Sequence, residues 1–128
     1  MRALLDTSSF LWFIGGSEKL SRRGREFMLD SDNELFLSTA SLWEIAINVS
    51  IGKLELLQPF GELIPKQLQN NEIGVMPIRF EHLSAMIDLP FHHRDPFDRL
   101  IIAQGVKENL PVITNDSMFQ KYAVDILW

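Results

Sequence analysis

The chain has 128 residues, a formal charge of −5 and no cysteine, with 46% hydrophobic and 23% charged residues. This is the size and composition of one globular domain able to bury a core, so residues 1–128 are expected to form a single domain. The lack of cysteine excludes disulfides and thiolate metal sites, and the acidic balance argues against a surface that coats nucleic acid.

The same charge is compatible with a nuclease, because an acidic metal site contributes negative charge that bound cations offset. There is no apolar run of about 18 residues that would span a membrane. "MRALLDTSSFLWF" carries one basic residue and an acid at position 6 and has no small-residue cleavage site. It reads as a first strand rather than a signal peptide, and a cytoplasmic location is expected.

"RALLD" (2–6) is a short apolar run ending in an acid, the pattern of a buried strand. "TSSFLWFIGG" follows as a short helix closed by Gly15 and Gly16, and "LSRRGREFMLD" as a second helix with Ser21 as its N-cap. "ELFLS" (34–38) is strand-like, and "TASLWEIAINVSIGKL" reads as a helix ended by Gly52. Leu42, Ile45, Ala46 and Val49 form one apolar face of that helix, and Trp43, Ile47 and Ile51 a second, which predicts burial on two sides. "FGELIPKQLQNN" is expected to be a helix interrupted or begun near Pro65. "IGVMPI" (73–78) is strand-like, and "RFEHLSAMIDLP" a helix stopped by Pro90. A helix over 96–108, a strand "PVIT" (111–114), the turn "NDSMFQKY" and a last strand "VDILW" complete the chain. Strands alternating with helices predict an α/β domain with a mainly parallel sheet. Trp12, Trp43 and Trp128 lie in apolar contexts and read as core or interface residues.

The acids fall at informative places. Asp6 follows the first strand, Asp116 follows "PVIT", Glu44 lies in the first turns of its helix, and Asp98 lies in the first turn of the helix opened by Asp95. In a parallel α/β sheet, strand C-terminal ends and the following helix N-termini share one edge, where ligands bind. The four carboxylates are therefore expected to meet there. Each also has a purely structural reading. Asp95, Pro96 and Asp98 suit the N-cap, first and third positions of a helix. Asp6 suits an N-cap with Thr7 and Ser8, Glu44 a "SLWE" capping box with Ser41, and Asp116 a turn. Cap and ligand need not compete. Converging carboxylates repel unless they are protonated or bridged by a cation, and oxygen-only ligands favour Mg²⁺ or Mn²⁺. Metal-assisted hydrolysis of a phosphodiester is the expected chemistry.

"LLDTSSFLW", "STASLWEIAINVSIGKLEL", "LPFHHRDPFDRLIIAQ" and "VITNDSMFQKY" follow one another in the order found in PIN-domain proteins. Together they resemble the VapC-type toxins of bacterial toxin–antitoxin pairs, over essentially the whole chain. The resemblance implies a three-layer α/β/α domain with a central, mainly parallel sheet. It also implies an endoribonuclease that uses one or two Mg²⁺ or Mn²⁺ ions, acts on RNA, forms a homodimer and is neutralised by a small antitoxin. Carried onto this sequence, the family's acids are Asp6, Glu44, Asp98 and Asp116. Asp6 and Asp98 would be the principal metal ligands, Glu44 a ligand directly or through water, and Asp116 a peripheral fourth acid.

Thr7, Ser8, Thr114 and Asn115 match polar positions beside those acids, where they either orient a ligand oxygen or water or simply cap and turn. Family members often carry a histidine where this chain has Ser8, so a histidine base is not expected there. Arg99 either pairs with Asp95 or reaches substrate phosphate. His92, His93 and Arg94 read as a solvated loop, with contact to RNA phosphate as the alternative. Adjacent histidines point in different directions, which argues against a joint metal site. A partner peptide is expected to cover the acidic edge with a basic side chain, and the segment 58–90 either packs or joins a partner surface.

Three other classes compete. A signalling receiver domain shares the size, the sheet and an acidic cluster, but it needs an acidic pair after the first strand and a lysine after a late one; neither is present. Flavodoxin-like nucleotide binding wants a glycine-rich loop where this chain reads "DTSSF". A catalytically inactive RNA- or partner-binding module stays open, although all four acids are present.

Overall fold

A computed structural model describes all residues, 1–128. Chain order is β1 (Arg2–Leu5), α1 (Thr7–Ile14), α2 (Arg22–Leu29), β2 (Glu34–Ser38), α3 (Thr39–Ser50), α4 (Phe60–Asn70), β3 (Ile73–Met76), α5 (Phe80–Asp88), α6 (Pro96–Glu108), β4 (Val112–Ile113), a 3₁₀ turn (Ser117–Lys121) and β5 (Ile126–Leu127). The five strands form one sheet in the order β3-β2-β1-β4-β5, with every pairing parallel. Leu5 at the end of β1 pairs with Leu37 of β2 on one side and Ile113 of β4 on the other.

Successive strand side chains point to opposite faces, so a strand buried on both sides reads as an unbroken apolar run. In β1, Ala3 and Leu5 join one core with Phe10, Phe13, Met28, Ile45 and Ile64 from α1 to α4. Leu4 joins the other, with Ile101 and Ile102 of α6 and Phe119 and Tyr122 beyond β4. This is the three-layer α/β/α architecture. No helix is long and apolar enough to cross a membrane.

Local chemistry sets the helix starts. Asp6, Ser21 and Asp95 cap α1, α2 and α6 through side-chain oxygens that accept backbone N–H bonds. The cap of α3 is Ser38, whose hydroxyl accepts from Ala40 N at 3.0 Å, and not the expected Ser41. The helix begins at Thr39, directly after β2 and as its sequence pattern indicates, so Ser41 lies inside the first turn and accepts a hydrogen bond from Thr7 at 2.9 Å instead of opening a capping box with Glu44.

Two other expectations fail. Helix α4 runs unbroken through Pro65. Proline there removes one backbone bond, which the burial of Ile64 and the packing of Leu68 against the core outweigh. The second apolar face of α3 is not buried, since Trp43 and Ile51 are each 58% exposed. The helix covers the sheet with one side only, and Trp43 rests edge-on against Phe97 at 5.2 Å. Trp12 packs against the core and meets Trp128 edge-on at 6.0 Å.

Candidate active site

Because all strands are parallel, the ends of β1, β2 and β4 and the starts of α1 and α3 lie along one edge. Asp6 leaves β1 there. Its Oδ1 accepts from Ser9 N at 2.8 Å as the cap of α1, and its Oδ2 accepts from the Thr114 hydroxyl at 2.6 Å. Burial raises the Asp6 carboxyl above its ordinary range, with the bonds from Ser9 and Thr114 working against it and the charge of Asp116 adding to it.

Glu44 projects from the second turn of α3, and its Oε1 is buried with no hydrogen-bond partner. Burial raises its carboxyl too, opposed by the Thr7 hydroxyl and reinforced by the charges of Asp95 and Asp6. Asp95 Oδ1 accepts from Phe97 N at 2.8 Å and Asp98 N at 3.1 Å, so Asp95 does the capping of α6. The Asp98 carboxyl, freed from that task, is pushed up to about 7 by burial and by the charges of Asp95, Glu44 and Asp6, with His93 pulling it down. Asp116 accepts from Met118 N at 2.9 Å through Oδ1, and its backbone N donates to the Thr114 hydroxyl at 3.0 Å.

Asp6, Glu44, Asp98 and Asp116 line one pocket of about 350 Å³, with Thr7, Ser8 and Asn115 among them and no lysine or arginine in the lining. Thr114 lies behind Asp6 and steadies it. Carboxylates from four chain segments, raised proton affinities at Asp6, Glu44 and Asp98 and a buried oxygen without a donor are the features of a site that a divalent cation would complete. Oxygen donors of this kind suit Mg²⁺ or Mn²⁺.

Two features of the site depart from the sequence reading, one in the pocket lining and one beside it. Asn48 lines the pocket one helical turn after Glu44, a spacing of four that was legible on α3. His93 is not on a solvated loop: its side chain is only 16% exposed, and Nε2 lies 2.9 Å from Asp98 Oδ2 and 3.2 Å from Asp116 Oδ2. The loop folds back because His93 N donates to the Tyr122 hydroxyl at 2.7 Å. His92 stays exposed, edge-on to the Tyr122 ring at 5.2 Å, and Arg94 is exposed beside it.

Arg99 takes neither role expected of it. One residue past Asp98 is about 100° further round the helix, which turns the side chain toward α5. The buried guanidinium donates to the carbonyls of Pro90 at 2.9 Å, Met86 at 3.0 Å and Leu89 at 3.3 Å, and stacks on Phe91 at 4.2 Å. It closes the C-terminal end of α5 instead of pairing with Asp95 or facing the pocket.

Comparison with known proteins agrees with this architecture. Ribonuclease VapC16 of Mycobacterium tuberculosis is 36% identical over 58 residues, a stretch covering 45% of this chain and 40% of that relative. The chain thus matches less than half the length of that relative. Among solved structures, VapBC2 from Rickettsia felis, bound to a DNA fragment from its promoter, superposes with a TM-score of 0.74 at 15% identity, covering 99% of this chain and 98% of that one. FitAcB from Neisseria gonorrhoeae has a TM-score of 0.66 at 17% identity, with coverage of 100% and 97%. A toxin–antitoxin complex from Klebsiella pneumoniae has a TM-score of 0.65 at 13% identity, with coverage of 98% and 96%. At those identities the likeness is one of fold. The PIN domain family model, in contrast, matches the sequence itself from residue 3 to residue 125, and the chain belongs to the PIN domain family.

Proposed function

We propose that this protein is an endoribonuclease that works with Mg²⁺ or Mn²⁺ and serves as the toxin of a toxin–antitoxin pair. The observation that carries the reading is the convergence of Asp6, Glu44, Asp98 and Asp116 in one pocket, with Glu44 Oε1 buried and unpartnered. Family membership, the ribonuclease among its relatives and the toxin–antitoxin complexes among its structural neighbours support it.

In this reading Asp6 and Asp98 are the principal ligands of one or two cations, Glu44 binds directly or through water, and Asp116 is peripheral. When bound, the cation would supply a water of lowered pKa and a positive charge for the phosphoryl oxygens of RNA. The protein's own part is preorganisation. The Ser9 amide and the Thr114 hydroxyl hold both oxygens of Asp6 in one orientation, so no rotamer search accompanies loading. Thr7, Ser8, Asn48 and Asn115 bring hydroxyl and amide groups to the pocket wall, able to orient a water or a phosphate oxygen. Without a cation the pocket repels a phosphodiester, which makes activity conditional on loading.

The same proposal includes a single domain over 1–128, a cytoplasmic setting, a homodimer and a small antitoxin. Phe80, Ile87 and Phe91 form an exposed apolar set around α5, and Trp43 another on α3, surfaces suited to partners. A basic side chain of the antitoxin would meet the acidic pocket. The test is incubation of total cellular RNA with purified, partner-free protein and Mn²⁺, beside an Asp6→Asn control, with new RNA ends mapped by sequencing. Defined ends that appear with wild type and vanish with Asp6→Asn are the expected result. No new ends from the metal-loaded wild type would sink the nuclease reading.

A further inference from the structure

The His93 imidazole is the one group near the pocket with no part in the reading above. Asp95 N lies 3.3 Å from its Nδ1, and a backbone N–H can only donate. Nδ1 is therefore the acceptor and the ring proton sits on Nε2, the atom placed 2.9 Å from Asp98 Oδ2 and 3.2 Å from Asp116 Oδ2. In that tautomer Nε2 has no lone pair to offer a metal, and the ring works as a donor bridging two carboxylates.

Those carboxylates come from separate segments, one at the start of α6 and one beyond β4, and as like charges they tend to splay apart. The bridging N–H opposes this. The ring is held in turn from behind. His93 N donates to the Tyr122 hydroxyl at 2.7 Å, and Arg99 Nη1 reaches that hydroxyl at 3.5 Å while gripping the carbonyls of Met86, Leu89 and Pro90. Phe91 lies on the guanidinium at 4.2 Å, and Phe119 meets the imidazole edge-on at 6.2 Å. The loop from α5 to α6 is thereby tied to α6 at one end and to the acids at the other.

We propose that His93 is a positioning residue, which holds Asp98 and Asp116 at the spacing a divalent cation requires, through a brace anchored by Arg99 and Tyr122. The inference rests on the reading of the pocket as a cation site. Outer-shell groups of this kind change metal affinity by about 10- to 100-fold when removed.

The experiment is calorimetric titration of the full-length protein with Mn²⁺ at constant pH, comparing wild type, Asp98→Asn, His93→Gln, His93→Leu and Tyr122→Phe. A long-range ¹H–¹⁵N spectrum of the metal-free wild type accompanies it. Expected are an Nε2-protonated His93, Mn²⁺ binding weakened about 10-fold or more by His93→Leu, and near-normal binding in His93→Gln, whose amide N–H can replace the donor. Tyr122→Phe, which loses only a hydroxyl, is expected to weaken binding in the same direction, and it decides the matter if His93→Leu does not fold. Unchanged or tighter binding in His93→Leu overturns the proposal, the tighter case marking His93 as a competitor of the cation. Nitrogen coupling to bound Mn²⁺ in pulsed electron paramagnetic resonance also overturns it, by making His93 a ligand. Failure of the underlying reading looks different: wild type then binds no Mn²⁺, or Asp98→Asn binds as well as wild type, and the proposal falls with it.

Discussion

Thr114 has one hydroxyl and two tasks, donating to Asp6 Oδ2 and accepting from Asp116 N. Thr114→Val keeps the shape and leaves a buried carboxylate oxygen and a backbone N–H without partners, a loss of about 1–3 kcal/mol. Urea unfolding should show that loss, and Thr114→Ser should recover most of it. The Asp98 carboxyl carries a pH signature of the metal-free protein. Its folded value is raised from 3.8 to about 7, so between those values the native state binds more protons than the unfolded one. Unfolding free energy then falls as pH rises through that window, and this contribution levels off above it. Calorimetric melting temperatures of metal-free protein should follow that sign, with Mn²⁺ raising them more at pH 8 than at pH 5. Asp98→Asn should flatten that slope, leaving the smaller part that the raised Asp6 and Glu44 carboxyls contribute, keep the fold intact and abolish RNA cleavage; a fully active variant would refute the assigned role. The capping reading of "DPFD" holds through Asp95, which takes the backbone donors and leaves the Asp98 carboxyl in the pocket lining.

Helix α3 shows how one element divides its labour. Its N-cap is Ser38, so Ser38→Ala should destabilise by about 0.5–2 kcal/mol. Ser41→Ala should act through the lost Thr7 contact and not through the helix end, a difference chemical denaturation of the two variants would resolve. Its inward residues such as Ile45 enter the core, its flank carries Glu44 and Asn48 into the pocket, and its outer side leaves Trp43 and Ile51 uncovered. Apolar periodicity reports that a face is apolar, not what covers it, which is why the second face read as buried. The loop before α6 failed for a related reason. "HHR" is polar and short, and the groups that hold His93 inward, the Tyr122 hydroxyl and the Asp98 and Asp116 carboxylates, all lie outside it.

At the scale of the whole molecule, the exposed apolar residues around α5 and on α3 are the places where association would be felt. Light scattering of the purified chain should report a dimer, and a double substitution Phe80→Glu with Ile87→Glu should lower the molar mass to that of the monomer if that surface is the interface. A wild type that is monomeric at every concentration would refute the homodimer. The order of elements, the parallel sheet and the edge on which Asp6, Glu44, Asp98 and Asp116 meet were determined by the sequence alone. They depend on local chemistry and chain order: apolar runs make strands, Asp6 and Asp116 follow strand ends while Glu44 and Asp98 lie early in helices, and parallel pairing puts all strand ends on one side. The inward turn of His93, the rotation of Arg99 toward α5, the passage of α4 through Pro65 and the bare outer face of α3 were decided only by the tertiary structure. Each depends on a partner distant in the chain, the Tyr122 hydroxyl, the carbonyls that end α5 or the packed core, and periodicity along a single segment carries no record of such partners.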